Sequence, residues 1–293
     1  MYLRNRARPT SWRPVLAVDS SDMPRHGATT RLRCPATRAP AEAWVGATMV
    51  GETDWEDAAM SDVTGTHSAD AVVGLLGGTG DQGRGLGRRL AWAGHTVILG
   101  SRDAGRAEAA AASLSDAGTG RTGAGPITGA DNARCARAAD VVIAAVPWSG
   151  HRDLLVSLRA ELAGKVVIDC VNPLGFDSRG AFALVVEEGS ACQQAQAVLP
   201  ESTVVGAFHH LSAVLLLDPA VARIDTDVLV VGDDREATDL VQALASRIPG
   251  MRGIYAGRLR NARQVEAVTA NLISINRRYQ AHAGLRVTDL PES

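Results

Sequence analysis

Residues 71–83 read AVVGLLGGTGDQG, and this stretch decides the fold class of the chain. A short apolar run ends at Leu76, glycines follow at the spacing G-x-G-x-x-G, and a helix-forming sequence comes next. The order of buried strand, glycine-rich turn and helix is the context in which this spacing binds a dinucleotide, whereas an isolated match is as readily a plain turn. The residues assigned to the fingerprint are Gly78, Thr79, Gly80, Asp81, Gln82 and Gly83.

Each glycine of the fingerprint has its own physical role. Gly78 permits the tight turn, Gly80 lets the backbone approach a pyrophosphate, and Gly83 allows the helix to pack closely on the strand. The first turn of the helix adds unpaired N–H groups and the positive end of the helix dipole. The sequence therefore predicts a pyrophosphate site at this turn.

The rest of the chain alternates short apolar runs with helical stretches. This alternation predicts an α/β fold with a Rossmann-type doubly wound parallel sheet and a smaller C-terminal α/β domain. We predict strands at residues 71–76, 95–99, 140–145, 165–170 and 203–208, helices at 103–114, from 131, at 151–162 and at 262–280, and further helix or strand segments at 228–231, 234–248 and 252–255.

Three regions are predicted along the chain. Residues 1–69 have scattered arginine and proline but no sustained period of 2 or 3.6, so they are interpreted as a disordered extension or as the result of a start codon placed too far upstream. Residues 70–210 form the predicted NADP-binding Rossmann domain. Residues 211–293 form a small C-terminal domain that closes the cofactor crevice.

Composition excludes several classes of partner. A formal net charge of −2 provides no whole-chain field to hold nucleic acid or an anionic membrane. No apolar run reaches the roughly 18 residues that a membrane-spanning helix needs. The four cysteines lie far apart without metal-ligand spacing, so we expect neither a disulfide framework nor a bound metal, and a reducing, cytoplasmic location.

The end of the second predicted strand indicates which dinucleotide binds. An NAD site usually presents a carboxylate there to the ribose hydroxyl, but this chain has Ser101 and Arg102. Arg106 lies one helical turn beyond Arg102, so both guanidinium groups can reach the same 2'-phosphate. NADP is therefore preferred over NAD, although surface arginines are also often merely solvated.

The ends of three later strands supply further candidate residues, because ligands of open parallel sheets bind at the carboxyl edge. Proline stops the strand in two of these places, and a plain strand stop is the alternative interpretation for both. Asn172 can bond a carboxamide, and His209 with His210 can face the same crevice or be structural. The candidates are Val146, Pro147, Trp148, Asn172, Pro173, Leu174 and His209.

These motifs together resemble a known family, the NADPH-dependent reductases of the deazaflavin coenzyme F420. The similarity covers about residues 72–290 and leaves the first 70 unmatched. The combination is much more specific than the glycine fingerprint alone. It comprises LLGGTG at 75–80, LAWAG at 90–94, GSR at 100–102, VPW at 146–148, VGDD at 231–234, and NAR at 261–263 followed by Val265 and Glu266.

The resemblance implies reversible hydride transfer between NADPH and F420, with the two rings stacked between the nucleotide domain and the C-terminal domain. It places Thr79 to Gln82 at the pyrophosphate and Ser101, Arg102 and Arg106 at the 2'-phosphate. It also places a histidine near His209, as a candidate for proton delivery, and a C-terminal tail near Leu285 over the rings. Many members have Asn-Leu in place of Asp81-Gln82, and lysine is common in place of Arg106.

Two alternatives remain at this point. An NADPH-dependent imine or carbonyl reductase on the same scaffold needs a proton donor such as tyrosine or lysine, and the chain has three tyrosines and only Lys165. A non-catalytic NADP-sensing module would have a crevice too occluded for a second ring. We expect small-molecule cofactors as partners and a homodimer as the assembly.

Overall fold

A computed structural model describes residues 71–116 and 122–290 of the chain. The predicted N-terminal extension, residues 1–69, lies outside this part, and its interpretation stays a prediction. Among the described residues, no helix combines the length and the apolar character needed to cross a membrane.

Eight of the strands in the described part of the chain form one sheet, and two form a separate hairpin. The order in the sheet is β10-β9-β8-β5-β4-β1-β2-β3. All neighbours are parallel except β8 and β9, which are antiparallel. The strands are β1 (Val73–Leu76), β2 (Val97–Ser101), β3 (Ile127–Asp131), β4 (Val141–Ala144), β5 (Val166–Asp169), β6 (Leu174–Asp177), β7 (Gly180–Ala183), β8 (Thr203–Gly206), β9 (Thr226–Gly232) and β10 (Met251–Tyr255).

The helices follow the strands along the chain. Asp131 and Asp234 cap α3 and α8 by accepting the backbone N–H groups of Arg134 and Ala237, as the predicted helix starts require. The helices are α1 (Asp81–Trp92), α2 (Ala104–Asp116), α3 (Asn132–Ala138), α4 (Trp148–Ser157), α5 (Arg159–Leu162), α6 (Ala191–Val198), α7 (Ala213–Leu217), α8 (Arg235–Ser246) and α9 (Ala262–Tyr279), with a short 3-10 helix at Leu259–Asn261.

Alternate residues of the central strands enter two layers of core. Val73 and Leu75 pack in one layer with Leu86 of α1, and Leu76 packs in the other with Leu155 of α4. Successive side chains of a strand point to opposite faces, so both faces of the sheet are covered. The predicted α/β class and the doubly wound, Rossmann-type sheet are confirmed.

Five strands and α-helices were not predicted from the sequence: β3, the hairpin strands β6 and β7, α6 and α7. The strand β3 is an edge strand with mostly half-exposed side chains, so its sequence ITGAD has no continuous apolar run. The hairpin turns at Asp177, whose carboxylate accepts the backbone N–H groups of Arg179 and Gly180. Local turn chemistry, and not apolar periodicity, therefore forms the hairpin.

The C-terminal residues continue the sheet. The pairs Val205–Gly232 and Gly206–Val231 join β9 to β8, and β10 extends the sheet by one more strand. The buried guanidinium of Arg89 on α1 adds a second attachment, because it donates to backbone oxygens of residues 215, 216, 218 and 221. The sheet thus crosses the predicted boundary at residues 210 and 211, and the division into two domains there stays a prediction.

Candidate functional site

The loop between β1 and α1 is held close to two neighbouring strands. Gly77 has a φ of +73°, and a Cβ there would lie 2.6 Å from the backbone oxygen of Ala145. The N–H of Gly78 donates to the backbone oxygen of Gly100 over 2.8 Å. A Cβ on Gly83 would lie 2.7 Å from the backbone oxygen of Gly77. A Cβ on Gly78 would lie 2.9 Å from backbone atoms of Leu75 and Leu99, so only glycine fits at all three positions. Gly77 was not among the predicted site residues.

A cavity of about 650 Å³, the first cavity, opens above this loop and the end of β2. Gly80 precedes α1 without a side-chain cap, so the N–H groups of the first turn lack a side-chain acceptor and can bind an anion. The cavity brings together most of the residues predicted for NADP. They are Thr79, Gly80, Ser101, Arg102, Arg106, Val146 and Pro147.

The far end of the first cavity is cationic. Arg102 and Arg106 are exposed, and neither forms an ion pair with another residue that the structure describes. Ser101 is buried, and its hydroxyl accepts the N–H of Asp103 over 3.3 Å. Two unpaired guanidinium groups beside a hydroxyl are suited to a phosphate.

Asp103 and Asn132 are among the residues of the first cavity that were not predicted from the sequence. Asp103 lines the cavity, but its carboxylate accepts the N–H of Arg106 over 3.1 Å, as a cap of α2 does. Asn132 lies at the start of α3, is 8% exposed, and its Oδ1 has no hydrogen-bond partner among the residues that the structure describes. An orphaned buried oxygen in a cavity wall is ready to accept a ligand hydroxyl or amine. The missed strand β3, which places Asn132 at the carboxyl edge, explains why it was overlooked.

A second cavity of about 490 Å³ adjoins the first. The two share the wall residues Gly80, Ala145, Val146 and Pro147, so the space along the carboxyl edge of the sheet continues from one to the other. Trp148 and residues 170–172 form one side of the second cavity. One face of α9 forms the other side through Thr269, Leu272, Ile273 and Asn276.

Asp81 and Gln82 line the second cavity at its border with the first. The carboxylate of Asp81 lies 2.6 Å from the guanidinium of Arg84 and is 69% exposed in its side chain. Gln82 donates through Nε2 to the backbone oxygen of Phe208 over 3.3 Å. The charge of Asp81 is therefore balanced locally, and Gln82 ties α1 to the segment that follows β8.

Asn172 also lines the second cavity and carries a buried side-chain oxygen. Its Nδ2 donates to the backbone oxygen of His209 over 2.7 Å, and its Oδ1 has no hydrogen-bond partner within the described part of the chain. Such an oxygen can accept a carboxamide N–H, as the sequence suggested. Pro173, Leu174 and Leu285 lie outside the walls of both cavities: Leu174 begins the hairpin, and Leu285 pairs with Thr226 and Asp227.

His209 is among the residues that line the second cavity, although it is only 3% exposed. Its Nε2 lies 3.7 Å from Sγ of Cys192. Burial lowers the pKa of His209 to about 4, so the imidazole is neutral near pH 7. Its suggested role in proton delivery stays a prediction.

The side chains of Cys192, His209 and Glu266 lie within 4.8 Å of one another, close enough for a metal ion. Glu266, however, accepts the N–H groups of Ala191 and Cys192 over 3.0 and 3.1 Å. Burial raises the pKa of the Cys192 thiol well above its usual value. The carboxylate is thus explained as an acceptor for the first two N–H groups of α6, beside the N-cap Ser190.

Comparison with known proteins places the chain in a family. A family model described as NADP oxidoreductase, coenzyme F420-dependent, matches residues 72–173. The chain is 39% identical over 225 residues to an F420-dependent NADP reductase of Methanothermobacter marburgensis, covering 75% of this chain and 99% of the relative. The chain belongs to the F420-dependent NADP oxidoreductase family.

Two further members of this family extend the comparison. An F420-dependent NADP reductase of Methanocaldococcus jannaschii is 37% identical, with 74% of this chain and 98% of the relative covered. A solved structure of a proposed F420-dependent NADP reductase from Arthrobacter sp. FB24 is 27% identical with a TM-score of 0.61, covering 75% of this chain and 99% of that one. The predicted resemblance is confirmed.

The match to the F420-dependent family model spans the strand ends that build most of both cavities. Residues 72–173 hold the loop after β1, the end of β2, the start of α3, and the segment that contains Val146 and Asn172. The wall that α9 contributes to the second cavity lies beyond this range. The relatives are covered almost completely, so they share more than the nucleotide half of the chain.

Proposed function

We propose that the protein catalyses reversible hydride transfer between NADPH and coenzyme F420. The observation that carries the proposal is the pair of adjoining cavities along one sheet edge, which meet at Gly80, Val146 and Pro147. The names of the relatives support the identity of both cofactors. NADPH supplies the hydride, and the deazaflavin ring accepts it.

The residues of the first cavity fit NADP. The glycines of the loop let it lie against the neighbouring strand ends and the start of α1, and this uncapped helix start offers N–H groups to the pyrophosphate. Ser101, Arg102 and Arg106 would hold the 2'-phosphate. Asn132 would accept a hydroxyl or amine of the adenosine part through its unpaired Oδ1.

The second cavity fits a planar ring system. Val146, Pro147, Leu272 and Ile273 give it apolar walls, and Trp148 adds an aromatic one. Asn172 would hold the nicotinamide carboxamide through Oδ1. The work of this chain is thus to bind both cofactors, orient their rings and exclude water, because both cofactors carry their own reactive carbon.

A steady-state assay of the purified protein tests this function. NADPH and oxidised F420 are mixed with the enzyme, and the loss of the deazaflavin absorbance near 420 nm is followed. Appearance of reduced F420 in step with NADP formation is expected. A protein that binds NADPH, leaves F420 unreduced and reduces a ketone or an imine would overturn the proposal.

We propose further that the protein is a cytoplasmic homodimer. The side chains of Phe176, Phe182 and Val185, on or beside the hairpin of β6 and β7, are 70%, 45% and 84% exposed. Apolar groups on a hairpin outside the main sheet are suited to bury against a second copy. Sedimentation of the wild type and of Phe176→Ser tests the assembly, with a smaller particle expected for the variant.

The free thiols of Cys135, Cys170 and Cys192 support a reducing compartment.

A further inference from the structure

The side chain of His151 lies fully buried beside Trp148 and outside both cavities. The ring centroids of these two residues of α4 are 5.6 Å apart, with an interplanar angle of 31°. Trp148 forms part of the wall of the second cavity. The position of the indole therefore depends on what holds the imidazole.

Both ring nitrogens of His151 face oxygen atoms. Nε2 lies 2.6 Å from Oδ2 of Asp169, and Nδ1 lies 3.3 Å from Oε1 of Gln194. The amide orientation of Gln194 is fixed, because its Nε2 donates to a carboxylate oxygen of Glu188 over 3.0 Å. A carboxylate can only accept, so the amide carbonyl is left for His151.

Asp169 completes the arrangement at the end of β5. Its second oxygen, Oδ1, accepts the N–H of Val171 over 2.9 Å, and Oδ2 of an ionised carboxylate can likewise only accept from His151. Each nitrogen of His151 must then donate, which requires the doubly protonated imidazolium. The positive ring and the negative carboxylate, both fully buried, neutralise each other.

Electrostatics agree with this protonation state. Burial by itself would lower the pKa of His151, but the charge of Asp169 and the hydrogen bonds from Asp169 and Gln194 outweigh burial and raise the pKa above its usual value. Glu266 adds a smaller effect in the same direction.

We propose that His151 is a positioning residue of the second cavity: held as an imidazolium between Asp169 and Gln194, it fixes the indole of Trp148 in the cavity wall. The cation beside the indole attracts its π-system, and a buried cation–π contact of this kind is stronger than an exposed one. The indole then sets the place of the ring that binds in the cavity. This role rests on the proposed function, since it concerns the binding of F420.

Kinetics with a matched variant test the role. His151→Gln is compared with His95→Gln, because His95 is also fully buried but lies before the amino end of β2 and lines neither cavity. His151→Gln should raise the KM for F420 about tenfold, with less than about a twofold change in the KM for NADPH. His95→Gln should change neither KM. Equal changes in both KM values for His151→Gln would overturn the proposal.

Spectroscopy tests the coupling without any substrate. A long-range 1H–15N spectrum of the wild type near pH 7 should show protons on both nitrogens of His151, and a singly protonated ring would overturn the proposal. In Asp169→Asn, the amide oxygen can still accept the N–H of Val171, and the amide N–H can donate to a neutral His151 ring. This variant therefore replaces His151→Gln in the test if His151→Gln does not fold. The fluorescence emission of Trp148 is obtained by subtracting the spectrum of Trp148→Phe from that of the wild type. The same difference, measured in the Asp169→Asn background, should give a changed emission. Unchanged emission would contradict the coupling, and failure of the wild type to reduce F420 would instead reject the proposed function.

Discussion

The carboxylate of Asp103 accepts the backbone N–H of Arg106 over 3.1 Å, although both residues line the first cavity. One acidic group therefore stands next to the two cations to which we assign the 2'-phosphate. Because the carboxylate caps α2, part of its charge is balanced by the helix N-terminus. The contribution of each charged residue to NADP affinity can therefore be tested by replacing Arg102 and Asp103 separately.

Replacing Arg102 by alanine should weaken NADP binding by about ten- to a hundredfold, because a charge-assisted contact contributes about 1.5 to 3 kcal/mol. The affinity for NAD, which lacks the 2'-phosphate, should stay nearly unchanged. Titration of both nucleotides against wild type and variant measures this. The control is Arg134→Ala, an exposed arginine outside the cavity, and an equal loss for NAD and NADP would contradict the assignment.

Replacing Asp103 by asparagine should act in the opposite direction. The amide oxygen can still cap α2, but the negative charge beside the 2'-phosphate is removed. We expect NADP to bind about two- to fivefold more tightly, which corresponds to less than about 1 kcal/mol. The same titration detects the change, and a weaker affinity for NADP would show that the carboxylate itself helps to bind the ligand.

Gly83→Ala should abolish nucleotide binding or lower the melting temperature by several degrees. The new Cβ would lie 2.7 Å from backbone atoms of Gly77 and Gly78, and backbone cannot move aside cheaply. Gly105→Ala is the matched control, since its Cβ meets only Asp103 Oδ1 at 3.4 Å and alanine favours a helix. Thermal unfolding and NADP titration distinguish the two, and a fully functional Gly83→Ala would refute the packing role.

Ile273→Trp should block hydride transfer to F420, because a larger side chain there enters the second cavity. The affinity for NADP, held at the distant phosphate end, should change by less than about tenfold. Leu174 is a candidate site residue from the sequence, but it lies outside both cavities. Leu174→Trp is therefore the control and should retain turnover in the 420 nm assay. Loss of turnover in Leu174→Trp alone would reverse this assignment.

Stability should depend on pH through Asp227. Hydrogen bonds from Arg252 outweigh the opposing effect of burial, and with further bonds from Val287 and Arg286 they hold the pKa of Asp227 well below its usual value. The stabilisation is present above the unfolded pKa of about 4 and is lost as the pH falls below it. Asp227→Asn should lower the urea midpoint near pH 7, and its difference from wild type should shrink toward pH 3. Asp225→Asn, at an exposed carboxylate, should cause little change.

The nucleotide half of the site could be predicted because its chemistry is local in sequence. The glycine loop and the pair Ser101 and Arg102 each follow a buried strand directly, so their place at the sheet edge follows from the strand. The second cavity is different. Ile273 reaches it only through the packing of α9, and Asn132 only through the unpredicted strand β3. Long-range packing of this kind leaves no spacing signal in one sequence.

The antiparallel pairing of β8 with β9 reverses the direction of the last two strands of the sheet. The connection that enters β9, residues 207–225, therefore runs along the edge of the cavities, while the turns that leave β9 and β10 lie at the opposite edge. Substitutions in those outer turns therefore do not change the walls of the two cavities. Substitutions at residues 211–213, which line the second cavity, instead alter its shape, whereas residues 215–221 are tied to α1 by Arg89. The short segment that follows β8 is therefore the place where ligand preference can diverge among related chains.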